Sequence, residues 1–68
     1  MKEHIANTVN DLRLERGITQ EELAEALGVS RQTIIAMEKG NYAPSILLAL
    51  KLATYFKKKV EDIFSITS

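Results

Sequence analysis

The chain has 68 residues, nine of them basic and nine acidic, for a formal net charge of zero; it contains no cysteine and one histidine, His4. A chain of this length holds one domain, residues 1–68, whose small core needs good helix packing or self-association. A disulfide framework and a thiolate metal site are excluded, and a lone histidine is no ligand set, so neither metal nor cofactor is expected.

No apolar run approaches the roughly 20 residues that span a bilayer. The opening MKEHIANTVND lacks the apolar core of a signal peptide. A cytoplasmic chain with no membrane role is therefore expected. Charge is unevenly spread. Residues 1–28 carry three basic and six acidic groups, whereas residues 29–59 carry six basic groups (Arg31, Lys39, Lys51, Lys57, Lys58 and Lys59) and one acidic. The local field matters more to a polyanionic partner than the total, and part of that positive charge is discounted for a cluster 57–59 placed away from such a partner.

In chain order, a first helix is expected over about residues 4–16. Ile5, Val9, Leu12 and Arg16 share a face at i, i+4, i+7 and i+11, with Ala6 and Arg13 beside them. Leu14 falls on the opposite stripe with Glu3, Asn7 and Asn10. Gly17 supplies a left-handed stop, and Ile18 plugs the gap to the next helix. Thr19-Gln20-Glu21-Glu22 fits a capping box opening a helix over about 20–27, which buries Leu23, Ala24 and Leu27. A tight turn follows at Gly28, and Val29 points back into the core.

Ser30 caps a third helix over about 31–38, with Ile34 and Met37 buried and Arg31, Gln32, Ile35 and Ala36 facing outward. Gly40 closes it, and Lys39, Asn41 and Tyr42 lie in the loop that follows. Pro44-Ser45 leads into a helix over 46–56, with Ser45 as its cap, apolar nearly all round. Its solvated stripe runs through 47, 51 and 54, which leaves Leu47 in water. Val60, Ile63 and Phe64 have the spacing of a short fifth helix, with Glu61 and Asp62 suited to its first turn. Ile66-Thr67-Ser68 is a tail, frayed or packed in a dimer seam.

The stretch 20–37, QEELAEALGVSRQTIIAM, has the pattern of a helix-turn-helix, whose second helix lies in the major groove of DNA. Gln20 opens the first motif helix, the small Ala24 follows four positions on, Gly28 makes the turn and the apolar Ile34 sits mid-way along the second helix. With the flanks LRLERGITQEEL, MEKGNYAPS and LALKLA, this set resembles the Xre-type, phage-repressor-like (Cro/C1) transcriptional regulators over roughly residues 9–64. The resemblance implies an all-α fold, a compact five-helix bundle. It also implies an ion pair between Arg13 and Glu38, and a loop after the recognition helix that offers main-chain amides, Lys39 and Asn41 to DNA phosphates. Where the family has glycine, an apolar residue and a cap after the fourth helix, this chain has Lys57, Lys58 and Lys59. The helix then either extends or stops without a glycine.

The reading that follows is a sequence-specific regulator of transcription, a repressor, bound to double-stranded DNA. Arg31 and Gln32 are suited to guanine and adenine edges. Ile35 either presses on a thymine methyl or has no role, and Ala36 lies beside it. Gln20, Ser30, Thr33, Lys39, Asn41 and Tyr42 are the candidate backbone contacts, with capping or plain helix surface the alternative for Ser30 and Thr33. A homodimer on a palindromic operator is expected, with Ile63, Phe64 and Ile66 as dimer candidates; the alternative for Ile63 and Phe64 is that they cap the core of the monomer. The competing reading is a protein-interaction module, such as the antitoxin of a toxin–antitoxin pair, contacting its partner through Leu14, Leu47 and Ile35. There is no nucleophile–base constellation, and Glu21, Glu22 and Glu25 read as solvated helix surface, so no enzyme and no small-molecule ligand is expected.

Overall fold

Four of the helices end in the same hydrogen-bonded lock, and these locks set the spacing of the fold. A computed structural model describes residues 3–67, in the order β1 (His4–Asn7), α1 (Val9–Arg16), α2 (Gln20–Leu27), α3 (Arg31–Glu38), α4 (Ile46–Phe56), α5 (Val60–Ile63) and β2 (Phe64–Thr67). At the ends of α1, α2, α3 and α4 the amides of residues 18, 29, 41 and 58 donate to the carbonyls of Arg13, Ala24, Ala36 and Ala53. These are Schellman closures, which need a left-handed residue at the stop. Glycine occupies the first three stops; Lys57 occupies the fourth, at φ 57°. The helix over 46–56 therefore ends cleanly at Phe56, without extension into the lysines.

Eight-residue helices are too short to persist alone, so caps and burial hold them. Thr19 Oγ1 accepts from the Glu22 amide at 3.0 Å while Glu22 Oε1 accepts from the Thr19 amide at 2.8 Å, a complete capping box. Ser30 and Ser45 cap α3 and α4 through the amides of Thr33 and Leu48, each at 3.2 Å. Val9, Leu23, Ala24, Leu27, Ile34, Met37, Leu48, Leu52, Phe56 and Ile63 form one core, with Leu12, Ile18, Val29 and Phe64 packed against it. Each fully buried Leu or Ile contributes about 1.5–3 kcal/mol by removal from water.

The first turn of the expected first helix is corrected. Residues 4–7 form a strand, paired antiparallel with β2 so that Ile5 faces Ile66 and Asn7 faces Phe64. The helix begins at Val9, because Asn7 Oδ1 accepts the Val9 amide at 3.0 Å and the Thr8 amide donates to the Ile63 carbonyl at 3.0 Å. Those two bonds turn the chain and tie it to its far end. The i, i+4 spacing of Ile5 and Val9 was thus coincidental, and Glu3 and Asn7 do not share a helix stripe with Leu14. Ile66-Thr67 is likewise a strand and not a loose tail; Ser68 lies outside the described residues. Among the described residues no helix is long and apolar enough to cross a membrane.

Candidate nucleic-acid interface

The turn between α2 and α3 sets the site. Gly28 takes φ 73°, a conformation that costs an L residue with a side chain about 1–2 kcal/mol. It lets the Val29 amide return to the Ala24 carbonyl. Lys51 crosses from α4, and its Nζ donates to the Leu27 carbonyl at 3.2 Å, capping the end of α2 from another element. Ile34 and Met37 are buried under α3, so the helix cannot roll and its outer face is held.

That face carries Arg31 and Gln32, both exposed, with Thr33, Ile35 and Ala36 half-buried. Ser30 Oγ and Thr33 Oγ1 lie 3.0 Å apart and hydrogen-bond to each other, so both hydroxyls also serve the helix start. Arg31 lines one groove with Leu14, Thr19, Gln20 and Glu21. Thr33 and Tyr42 line another with Val29, Ser45 and Lys51. Gln20 and Arg31 thus border one groove, and Thr33 and Tyr42 another. Lys39 and Asn41 lie exposed in the loop after α3.

Some of the loop's main-chain donors are spent. The amides of Lys39, Gly40 and Asn41 donate to the carbonyls of Ile35, Met37 and Ala36 in closing α3. The amides of Tyr42 and Ala43 take no part in that closure, and the side chains of Lys39, Asn41 and Tyr42 lie exposed beside them.

Beneath the face lies a network. Arg13 Nε donates to Glu38 Oε2 at 2.8 Å and Nη2 to Oε1 at 3.2 Å, a two-pronged pair whose side chains are 11% and 6% exposed. Arg13 Nη1 also donates to the Ile18 carbonyl and Nη2 to Asn10 Oδ1, each at 2.9 Å. Gln20 Nε2 donates to Glu38 Oε1 at 3.1 Å. Asn7 Nδ2 donates to the Met37 carbonyl at 2.9 Å, tying β1 to the last turn of α3. No buried side-chain polar atom among the described residues lacks a partner, which is the condition under which a buried ion pair is tolerated.

The dimer candidates separate. Ile63 is buried in the core of its own chain, Phe64 packs against that core, and Ile66 is exposed. Ile63 is therefore spent on the monomer, as the one residue of α5 that is buried in the core. Sequence reasoning missed Lys51, Asn7 and Asn10. A lysine on a mostly apolar helix was the signal for the first; the asparagines carried none.

A short helix, a glycine turn and a second helix with a polar outer face define a helix-turn-helix protein. Residues 9–63 match a family model described as helix-turn-helix (HTH_3), and the chain belongs to that family, the Cro/C1-type, Xre-like transcriptional regulators. It is accordingly a DNA-binding regulator of transcription, in a family that is non-enzymatic. It is 53% identical over 58 residues to the uncharacterised HTH-type transcriptional regulator YgzD of Bacillus subtilis, covering 85% of this chain and 88% of that one. It is 35% identical over 60 residues to the cryptic phage CTXphi transcriptional repressor RstR of Vibrio cholerae, covering 88% of this chain and 54% of that protein. Among solved structures, the restriction-modification controller protein C.AhdI from Aeromonas hydrophila superposes with a TM-score of 0.72 at 31% identity, over 79% of this chain and 82% of that one. Five helices with a small terminal hairpin match the Cro/C1 type.

Proposed function

We propose that this regulator is a cytoplasmic repressor that reads a palindromic operator as a homodimer, with α3 in the major groove. The observation that carries the reading is the exposure of Arg31 and Gln32 at the first turn of a helix whose other face is locked by Ile34, Met37 and the Arg13–Glu38 pair. In that geometry Arg31 takes a guanine edge and Gln32 an adenine edge. Ile35 and Ala36 give apolar contact further along. Gln20, Ser30, Thr33, Lys39, Asn41 and Tyr42 position the helix on the phosphates. Two copies present their recognition helices about 34–36 Å apart, one turn of DNA. The repressor sign is supported by the name of the relative RstR.

The antitoxin-like alternative loses ground on one point. Leu14 and Leu47 line separate grooves, so the proposed partner contacts do not gather on one groove. The test is selection of bound sequences from a random duplex pool at two salt concentrations. Enrichment of a short palindrome is the expected result. Weak, salt-sensitive retention without enrichment rejects base reading by this chain.

A further inference from the structure

The outer face of α4 is more apolar than a solvated helix face should be. Ile46 is 81% exposed, Leu47 64% and Leu50 53%. At 100° per residue these three, with Lys51 and Thr54, fall in one continuous stripe opposite the buried Leu48, Leu52 and Phe56. Leu47 and Leu50 also wall an open groove of about 410 Å³ with Ala26, Leu27 and Tyr55. A protruding isoleucine and an apolar groove thus sit side by side.

We propose that this stripe is the dimer seam, occupied by a second copy of the chain with the two α4 helices packed across a two-fold axis. The inference rests on the homodimeric reading above and names its surface. Three arguments select a copy as the occupant. A two-fold interface must be complementary to itself, and here the knob, Ile46, and the groove beside Leu50 lie on one face. The face also suits itself in charge. α4 contains no carboxylate, and its one cation, Lys51, sits at the edge of the stripe with its Nζ directed to the Leu27 carbonyl; self-contact strands no acidic group and leaves the two lysines at the rim, whereas an acidic or basic partner finds little to pair with. The size fits too. The three side chains expose on the order of 400 Å², within the range of the largest patch on a monomer. Doubled, the patch gives about 800 Å², and Ala26 and Tyr55 on the groove wall are what brings it toward the roughly 1,000 Å² of a specific interface. The product is a reversible dimer.

The seam differs from one built on β2, where Ile66 is the exposed apolar residue. Sedimentation velocity of the full chain without DNA, across low to high micromolar concentration, reads this directly. The wild type shifts from monomer to dimer. Leu50→Glu raises the dissociation constant at least about tenfold, with the same thermal melt as wild type at low concentration, where both are monomers, while Ile66→Glu changes it less than about twofold. Because the chain has no cysteine, Leu50→Cys provides a second reading: mild oxidation yields a covalent dimer when the axis brings the two positions within disulfide reach, roughly 4.4–6.8 Å between Cα atoms. Ile66→Cys does not cross-link.

A wild type that stays monomeric throughout overturns the proposal. So does dissociation by Ile66→Glu with Leu50→Glu still dimeric, or cross-linking at 66 and not at 50. No DNA is present in these measurements. A dimer that selects no operator therefore refutes the DNA reading alone, a dimer broken at Ile66 and not at Leu50 refutes the seam alone, and a monomer that binds a half-site refutes the seam and the homodimer while base reading stands.

Discussion

Gln20 Nε2 and Arg13 Nη2 donate to the same carboxylate oxygen of Glu38, at 3.1 and 3.2 Å. One acidic group thus joins the first residue of α2, the buried face of α1 and the last turn of α3. The recognition helix is anchored at the end opposite to Arg31. Truncating Glu38 leaves the Arg13 guanidinium buried without its counter-charge. Glu38→Ala is therefore expected to destabilise the fold by about 3–5 kcal/mol, measured by urea denaturation. Arg13→Met with Glu38→Leu recovers most of the loss, because the uncompensated charge is gone. An unchanged urea midpoint for Glu38→Ala rejects a structural role for the pair.

Arg31 and Lys39 are expected to fail differently. Arg31→Ala costs about 1–3 kcal/mol on the selected operator and relaxes one base position. Lys39→Ala weakens all duplexes alike and lowers the slope of log K against log salt by about 1. Titrations of operator and scrambled duplex at several salt concentrations separate the two. Equal losses on both duplexes for Arg31→Ala would remove its reading role.

Lys57 holds a backbone conformation that the other three Schellman closures give to glycine. Lys57→Gly is expected to raise stability by about 1 kcal/mol, the relief of left-handed strain less the added freedom of the unfolded chain. The readout is the thermal midpoint. A fall in that midpoint would mean that the lysine side chain makes a compensating contact.

Lys51 joins α4 to the end of α2 through the Leu27 carbonyl. Lys51→Met keeps the packing of the stem and removes the donor, and is expected to cost about 1 kcal/mol, the low side for a hydrogen bond to a charged group because the site is partly exposed. Hydrogen exchange at Gly28 and Val29 localises the effect to the turn; a loss spread evenly over the chain would point instead to the core.

How much of this was legible beforehand differs by element. The motif helices, the glycine turn and the Thr19, Ser30 and Ser45 caps could be read from the order of residues alone. Such signals act within four residues, where the backbone's own geometry decides. The resemblance also supplied Arg13 and Glu38 as partners. The hairpin could not be read. His4–Asn7 is too short to show a strand period, and its partner lies at the other end of the chain, so only tertiary contact makes it a strand. The exposure of Ile46 and Leu50 was equally hidden. A helix apolar on all sides does not say which side its neighbours take, and only the packing of α2, α3 and α5 around Leu48, Leu52 and Phe56 left the other side in water. Local sequence determined which helices form and where they stop, because capping and periodicity are short-range. Tertiary structure decided which residues are spent on the core and which remain to meet a partner, because burial depends on the whole chain at once.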